Sequence, residues 1–379
     1  MRDLFLPFAK PYILDEEIEE ITQVLRSGFL TTGPKVTEFE QGICNYIGDS
    51  IFAVGLNSCT AGLYLSLVAS GVSEGDEVIV PTWTFAATAH VVLWCKAKPV
   101  LCDIDEGSLN IDVQKAELLV NPRTKAIIPV HYAGFPCDMD ALTDLTQKNG
   151  ITVIEDAAHA IGSRYKGRAI GSFGNLTVFS FYATKNLTCG EGGMVVGTDP
   201  QIIEKIRKLS YFGINKGAFQ RYTKTGKWAY EIEELGYKFN MDSIHAALGV
   251  VQLRRLDFMN ERRRRIAAMY RDKLDKRIIF PADSKENYHT YHLFPIRVDR
   301  KIISRDNLIA KLAQRNIGTS VHFIPLHRHS FYKNMCLGKF PVSDRVFEEI
   351  ISIPMFPGMV DSDVNYVIDS INDILKSGG

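Results

Sequence analysis

Six short apolar runs, each closed by a polar or turn residue, constrain the fold of this chain more than any other feature. They lie at 77–80, 99–102, 126–130, 152–154, 176–181 and 193–196. Runs of this kind mark strands that are buried on both faces of a sheet. Helical spacing of apolar residues separates several of them, as at 138–149 after Cys137. The alternation predicts an α/β domain with a mostly parallel sheet. Helices are predicted over 15–27, stopped by Gly28, and over 60–70, stopped by Gly71. A long helical pattern runs from about 242 to 275 and carries Ile244, Ala247, Leu248, Val251, Leu253, Leu256 and Met259. Beyond it, short strands at 292–298 and 319–323 mix with helices at 304–315 and 361–376. This change of texture predicts a large domain over 1–254 and a smaller α/β domain over 255–379, with no Pro/Gly/Ser linker between them.

A chain of 379 residues, 46% apolar and 23% charged, has ordinary globular usage and can bury a sizeable core. Lys+Arg and Asp+Glu both number 44, so no net positive field exists to hold nucleic acid or an anionic membrane. The one basic cluster, Arg262-Arg263-Arg264-Arg265, reads as a solvated helix face. The seven cysteines (44, 59, 95, 102, 137, 189, 336) are scattered, odd in number and without a CxxC pair. That argues against a disulfide framework or a zinc knuckle and points to a reducing cytoplasm. No run reaches the roughly 18 apolar residues of a membrane span, and the first residues lack a signal peptide's apolar core.

Two segments carry chemistry. The run 153–159 places Glu155 and Asp156 at the carboxyl end of an apolar strand, where open α/β sheets bind ligands. The run 179–186 places Lys185 just after another buried strand, followed by the glycine-rich stretch 190–193. A buried carboxylate stabilises a protonated pyridine nitrogen, because an opposite charge favours the charged form. A nearby lysine can bind an aldehyde and then move a proton. Pyridoxal 5'-phosphate (PLP) needs both, and Ser180 can donate to its phosphate. On these residues alone, a phosphate-binding α/β enzyme of another kind fits equally well.

The strings Ile154-Glu155-Asp156-Ala157-Ala158-His159, Phe179-Ser180-Phe181-Tyr182-Ala183-Thr184-Lys185-Asn186 and Glu191-Gly192-Gly193-Met194 resemble the DegT/DnrJ/EryC1/StrS family of sugar aminotransferases. Further matches lie at 27–34, 57–63, 129–134, 236–241 and 318–323, so the resemblance covers nearly the whole chain. The branch it resembles most contains the UDP-4-amino-4-deoxy-L-arabinose and spore-coat polysaccharide aminotransferases. The resemblance implies a fold-type I PLP enzyme with a seven-stranded sheet. It also implies a homodimer with shared active sites, L-glutamate as amino donor, and a nucleotide-linked keto-sugar as acceptor, aminated at C4. By position, Lys185 would bind PLP covalently, Asp156 would face the ring nitrogen, and His159 would lie near the 3-oxygen. Phe85 would stack on the ring, with Trp83 in the core or on the substrate side. Cys59 and Thr60 open a helix and would hold the phosphate with Ser180.

One departure stands out. Much of the family has Asn where this chain has Lys238, and Arg where it has Asn240. Lys238 would reach the phosphate of the partner subunit's cofactor with a full charge. Phe29, Thr31, Tyr182 and His322, the last read as part of a strand, are implied to border the substrate; His327 and His329 have weaker cases. No His/Cys/Asp set has metal spacing. A sugar dehydratase of the same fold would carry histidine in place of Lys185, and a non-catalytic regulatory protein would not need Asp156, Ser180 and Lys185 together.

Overall fold

The computed structural model describes residues 4–214, 229–333, 335 and 338–377. Its centre is a seven-stranded sheet. The strands are β1 (Phe52–Leu56), β2 (Glu77–Pro81), β3 (Lys98–Cys102), β4 (Thr124–Ile127), β5 (Thr152–Asp156), β6 (Leu176–Ser180) and β7 (Gly193–Gly197). Their spatial order is β1-β7-β6-β5-β4-β2-β3. From β3 to β6 all neighbours run parallel, and β7 runs against both β6 and β1. Every residue of β2, β6 and β7 is buried, which is why these strands read as unbroken apolar runs. The unpredicted strand is β1. It contains Ala53 and Gly55, weak strand formers, and Gly55 is needed because a Cβ there would lie 3.3 Å from Met241 and Val36.

Helices cover the sheet: α1 (Asp15–Ser27), α2 (Pro34–Ile47), α3 (Cys59–Ala69), α4 (Ala86–Trp94), α5 (Met139–Asn149) and α6 (Pro200–Leu209). The stop predicted for α1 is real: Gly28 adopts the left-handed conformation, φ 76°. The long pattern at 242–275 is not one helix. It divides into α7 (Ser243–Arg254) and α8 (Leu256–Lys273) at Arg255, which leaves helical geometry and pairs with the fully buried Glu17 of α1. Periodicity continues through the break because both helices bury a face.

Two cores result. One lies on the sheet and reaches Leu256. The other contains Ile266, Tyr270 and residues out to Leu375, together with Leu6 from the start of the chain. The second core is built on α8, a two-stranded antiparallel sheet of β8 (Phe294–Arg297) and β9 (Ile350–Ile353), and the helices α9 (Arg305–Ala313) and α11 (Asp361–Lys376), while α10 (Pro341–Glu349) packs Val346 against a separate cluster with Trp83 and Tyr132. The expected division at 254/255 falls at the α7–α8 junction. The strand expected at 319–323 does not form, and Ser320 makes only an isolated bridge to Ser352. Glycine at 318 and a pleat too short to pair leave 321–323 as irregular chain, so His322 is not in a strand.

The arginine run also differs from expectation. Arg263 is buried and donates to the carbonyls of Tyr291, His292 and Met355 at 3.4, 3.3 and 2.9 Å. Arg262 pairs with Asp361 at 2.8 Å, and Arg264 donates to the His289 carbonyl at 3.1 Å. Arg265 alone of the four is exposed. The cluster clamps α8 to the loop that precedes β8, because three backbone carbonyls there need donors. Burial holds Arg263 down at about 9. Arg263→Met is therefore expected to cost about 3 kcal/mol or more, since it strands those carbonyls, and Arg263→Lys should not restore the loss. Urea unfolding of the three proteins measures it.

Candidate active site

A cavity of about 520 Å³ opens at the carboxyl ends of the parallel strands, the usual ligand crevice of such sheets. Asp156 ends β5, Ser180 ends β6, and Thr84 and Phe85 follow β2. The C-terminal part of the chain supplies the opposite wall through His292, Leu293 and residues 321–323, of which Leu293, Val321 and Phe323 pack with Trp83 and Tyr132.

Asp156 is buried and faces the cavity. Its donors are the Thr88 hydroxyl at 2.8 Å and the Ala158 amide at 3.2 Å. Thr84 hydrogen-bonds Thr88 at 2.7 Å, so the carboxylate is held from behind by a hydroxyl chain. Burial pushes its pKa up, against those donors and the field of Lys185. A carboxylate so placed is stabilised by a cation brought against it, as a protonated pyridine nitrogen would be. Glu155 does not share the site. Alternation along the strand sends it to the other face, where it meets His131 at 2.9 Å and Asn175 at 2.9 Å. The expectation that both carboxylates of the pair point into the crevice is corrected accordingly.

Lys185 lines the same cavity, in a loop folded onto itself by the Phe181 amide on Gly192 and the Cys189 amide on Phe181. Its neighbour Asn186 is fixed by Asn260 at 2.8 Å and the Thr290 carbonyl at 3.0 Å. Burial lowers the Lys185 ammonium to about 8, partly offset by Cys59 and Asp156. Far more of this amine than of an ordinary lysine is therefore neutral, and nucleophilic, near physiological pH.

At the other end of the cavity stands the first turn of α3. Ser58 caps it by accepting from the Ala61 amide at 3.1 Å. The amides of Cys59 and Thr60 lie in the turn where a helix supplies no partners, so they suit an anion. Both residues line the cavity, as do Ser180 and Gly192. Gly193 lets β7 approach this turn, since a Cβ there would lie 2.4 Å from the Cys59 nitrogen. Burial pushes the Cys59 thiol up, so it stays protonated.

Three histidines complete the wall. His159 accepts from the Ala133 amide at Nδ1 (3.3 Å), which leaves its proton on Nε2. Burial, with Lys185 nearby, keeps His159 neutral and holds His322 down at about 4. His292 lies against His159, ring centroids 4.3 Å apart, and is kept neutral by burial too. Phe323 stacks on His159 at 5.9 Å.

Of the residues picked out from sequence, Cys59, Thr60, Phe85, Asp156, His159, Ser180, Tyr182, Lys185 and His322 line this one cavity. Phe85 and Tyr182 stand at its rim, 66% and 48% exposed. Trp83 is buried in the core. Phe29, Thr31 and Lys238 are not brought to the cavity of their own chain; all three are exposed. Lys238 donates to Asn240 at 2.6 Å and lies over the Tyr211 ring at 4.5 Å. His327 bridges Thr82 and Asp344 away from the cavity. Missed by sequence were Phe8, Thr88 and His292, which belong to no string with a chemical signature, and Thr184, which lies in the Lys185 string but was not singled out. Among the described residues no group of side chains could hold a metal, and no helix is long and apolar enough to cross a membrane. Six cysteines are unpaired, and Cys336 lies outside the described residues.

An anion-binding helix turn, a buried carboxylate and a buried lysine of lowered pKa, set around one cavity at the strand ends, fit PLP group by group. Together with the sheet they define a fold-type I PLP-dependent transaminase. Comparison with known proteins agrees. The model of the DegT/DnrJ/EryC1/StrS aminotransferase family matches residues 11–372, and the chain belongs to that family. It is 48% identical to the uncharacterized protein MJ1066 of Methanocaldococcus jannaschii, over 99% of each chain. It is 46% identical to the spore coat polysaccharide biosynthesis protein SpsC of Bacillus subtilis, over 99% of this chain and 98% of that one. Among solved structures, Spr1654 of Streptococcus pneumoniae, described as a sugar aminotransferase, superposes with TM-score 0.93 in its PMP form. That alignment has 34% identity and covers 99% of this chain and 100% of the other.

The Lys185 value has a kinetic consequence. Only the neutral amine attacks an aldehyde, and it forms above the pKa. The rate at which the apo-protein takes up PLP should rise with pH and level off above about 8, rather than climbing toward the 10.5 of an ordinary lysine. Stopped-flow absorbance across pH reads this directly.

Proposed function

We propose that this transaminase moves an amino group from L-glutamate to the keto carbon of a nucleotide-linked sugar, at C4, in the synthesis of a cell-surface polysaccharide or lipopolysaccharide. The observation that carries the reading is the placement of Asp156 and Lys185 in one cavity whose far wall is apolar and aromatic. Further support comes from the family, from the polysaccharide role in the name of SpsC, and from the sugar aminotransferase description of Spr1654. The protein is proposed to act in the cytoplasm as a homodimer. Phe29, Thr31 and Lys238 are exposed and away from their own cavity, which suits a role at the partner's.

Bound PLP supplies an aldehyde that exchanges amines and a ring that draws electrons from the carbon losing its proton. The residues of this chain supply the rest. Asp156 keeps a proton on the ring nitrogen, and Thr88 and Ala158 keep Asp156 aimed. The Cys59 and Thr60 amides and the Ser180 hydroxyl would hold the cofactor's phosphate, and the His159 Nε2–H would donate to the oxygen on its ring. Lys185, freed by the incoming amine, takes the proton from the donor's α-carbon and delivers it on the far side of the amine nitrogen. Water would release 2-oxoglutarate and leave the amino group behind; the keto-sugar would give up a water on condensing with that amine, and Lys185 would return the proton. The cycle is ping-pong.

A dehydratase of the same fold is disfavoured by Lys185 itself, and a regulatory protein by the complete set of Asp156, Ser180 and Lys185.

A panel of nucleotide-linked keto-sugars, each incubated with glutamate and scored for 2-oxoglutarate, tests the proposal. The wild type should turn over at least one. Lys185→Ala should lose the visible cofactor band and at least about 10³-fold in turnover. An active Lys185→Ala protein, or no turnover of any keto-sugar by the wild type, would contradict the reading.

A further inference from the structure

The segment ahead of α1 borders the cavity and is pinned on both sides of it. Leu6 is buried in the second core and bridges to Ile317. Its amide donates to the Asn316 carbonyl at 2.8 Å, and its carbonyl accepts from the Gly318 amide at 2.8 Å. The Phe8 carbonyl accepts from the Met355 amide at 3.2 Å. On the other side, the Tyr12 carbonyl accepts from Gln252 of α7 at 2.8 Å. Between these anchors, Phe8 and Ala9 line the cavity. Glycine at 318 makes the seat possible: a Cβ there would lie 2.9 Å from the Phe8 nitrogen and 3.1 Å from the Leu6 oxygen. The Phe8 ring stacks on His322, centroids 5.3 Å and planes 29° apart, while His322 Nδ1 meets the Ser352 hydroxyl at 3.0 Å.

The charge of the cavity says what this wall can receive. Among the described residues Lys185 is the only lysine or arginine that lines it, and Glu191 lines it too. A carboxylate placed against Phe8 and His322 would find no lysine or arginine other than Lys185 among the described residues that line the cavity. An uncharged, hydroxylated ring would find aromatic faces for its C–H groups and a neutral imidazole for a hydroxyl.

We propose that Phe8 is a specificity-determining residue for the amino acceptor: it holds the His322 ring in place and with it forms the wall that receives the sugar ring. The inference rests on the sugar reading above. Phe8 acts on the acceptor partly through His322, so its removal should strike one half of the cycle more than the other.

The two half-reactions of the holoenzyme separate the roles. Glutamate bleaches the visible band, and a keto-sugar that the wild type accepts restores it. For Phe8→Ala, the acceptor half-reaction should lose about tenfold in rate constant over affinity, chiefly as weaker binding, and the donor half at most about twofold. Phe8→Leu keeps apolar bulk in the strap and guards against misfolding; it should lose the acceptor half likewise, while Phe8→Tyr should restore it. Phe8→Ala and His322→Ala should be less than additive, because each removes the same stacked pair. Equal losses in both halves, strict additivity, or unchanged acceptor kinetics in Phe8→Ala would overturn the role of Phe8 while leaving the sugar reading intact. A wild type whose band glutamate bleaches and no keto-sugar restores would overturn that reading, and this inference with it.

Discussion

The site depends on one buried negative charge. Asp156 ends a strand that has no exposed face, and two donors hold it, yet burial still raises its pKa. Taking a carboxylate out of water costs several kcal/mol unless a positive partner meets it. A protonated pyridine nitrogen would be that partner. With such a ring in the cavity, the open turn of α3 would suit its phosphate and Lys185 its aldehyde. Lys185 feels the mirror image of the same burial, which brings its amine close to the pH at which proton transfer in both directions is fast.

The C-terminal part of the chain is part of the site. His292, Leu293 and 321–323 form the wall that faces Asp156. Arg263 ties them to α8 through the carbonyls of Tyr291, His292 and Met355, and the N-terminal strap crosses between the cores beside them. Neutral imidazoles line the region that substrates enter, since burial denies a charge to His159, His292 and His322 alike. A polar but uncharged wall of this kind suits a hydroxylated ligand, and it leaves the field near Lys185 to Asp156.

Much of this was legible in sequence where burial leaves a one-dimensional trace. Strands buried on both faces gave apolar runs, and Asp156 and Lys185 followed two of them directly. β1 was illegible because Ala53 and Gly55 owe their place to packing against Met241 and Val36, far away in sequence. The α7–α8 break was hidden because the buried face continues through it, while its cause, the Arg255–Glu17 pair, spans most of the large domain. The arginine run looked like a solvated face because charge predicts exposure unless partners are known, and Arg263 has backbone partners only. Thr88, His292 and Phe8 act through neighbours brought in by the fold, and no local pattern announces them. Glu155 was misjudged for a simpler reason: two adjacent residues on a strand face opposite ways.

The central claim is covalent as well as electrostatic, and one measurement reaches it. Borohydride reduction of the PLP-loaded protein fixes the cofactor to whichever amine carries it, and peptide mass mapping then names the residue. The account predicts a single pyridoxyl label on Lys185, lost when glutamate is added before the borohydride. A label on another lysine, or one that glutamate leaves untouched, would contradict it.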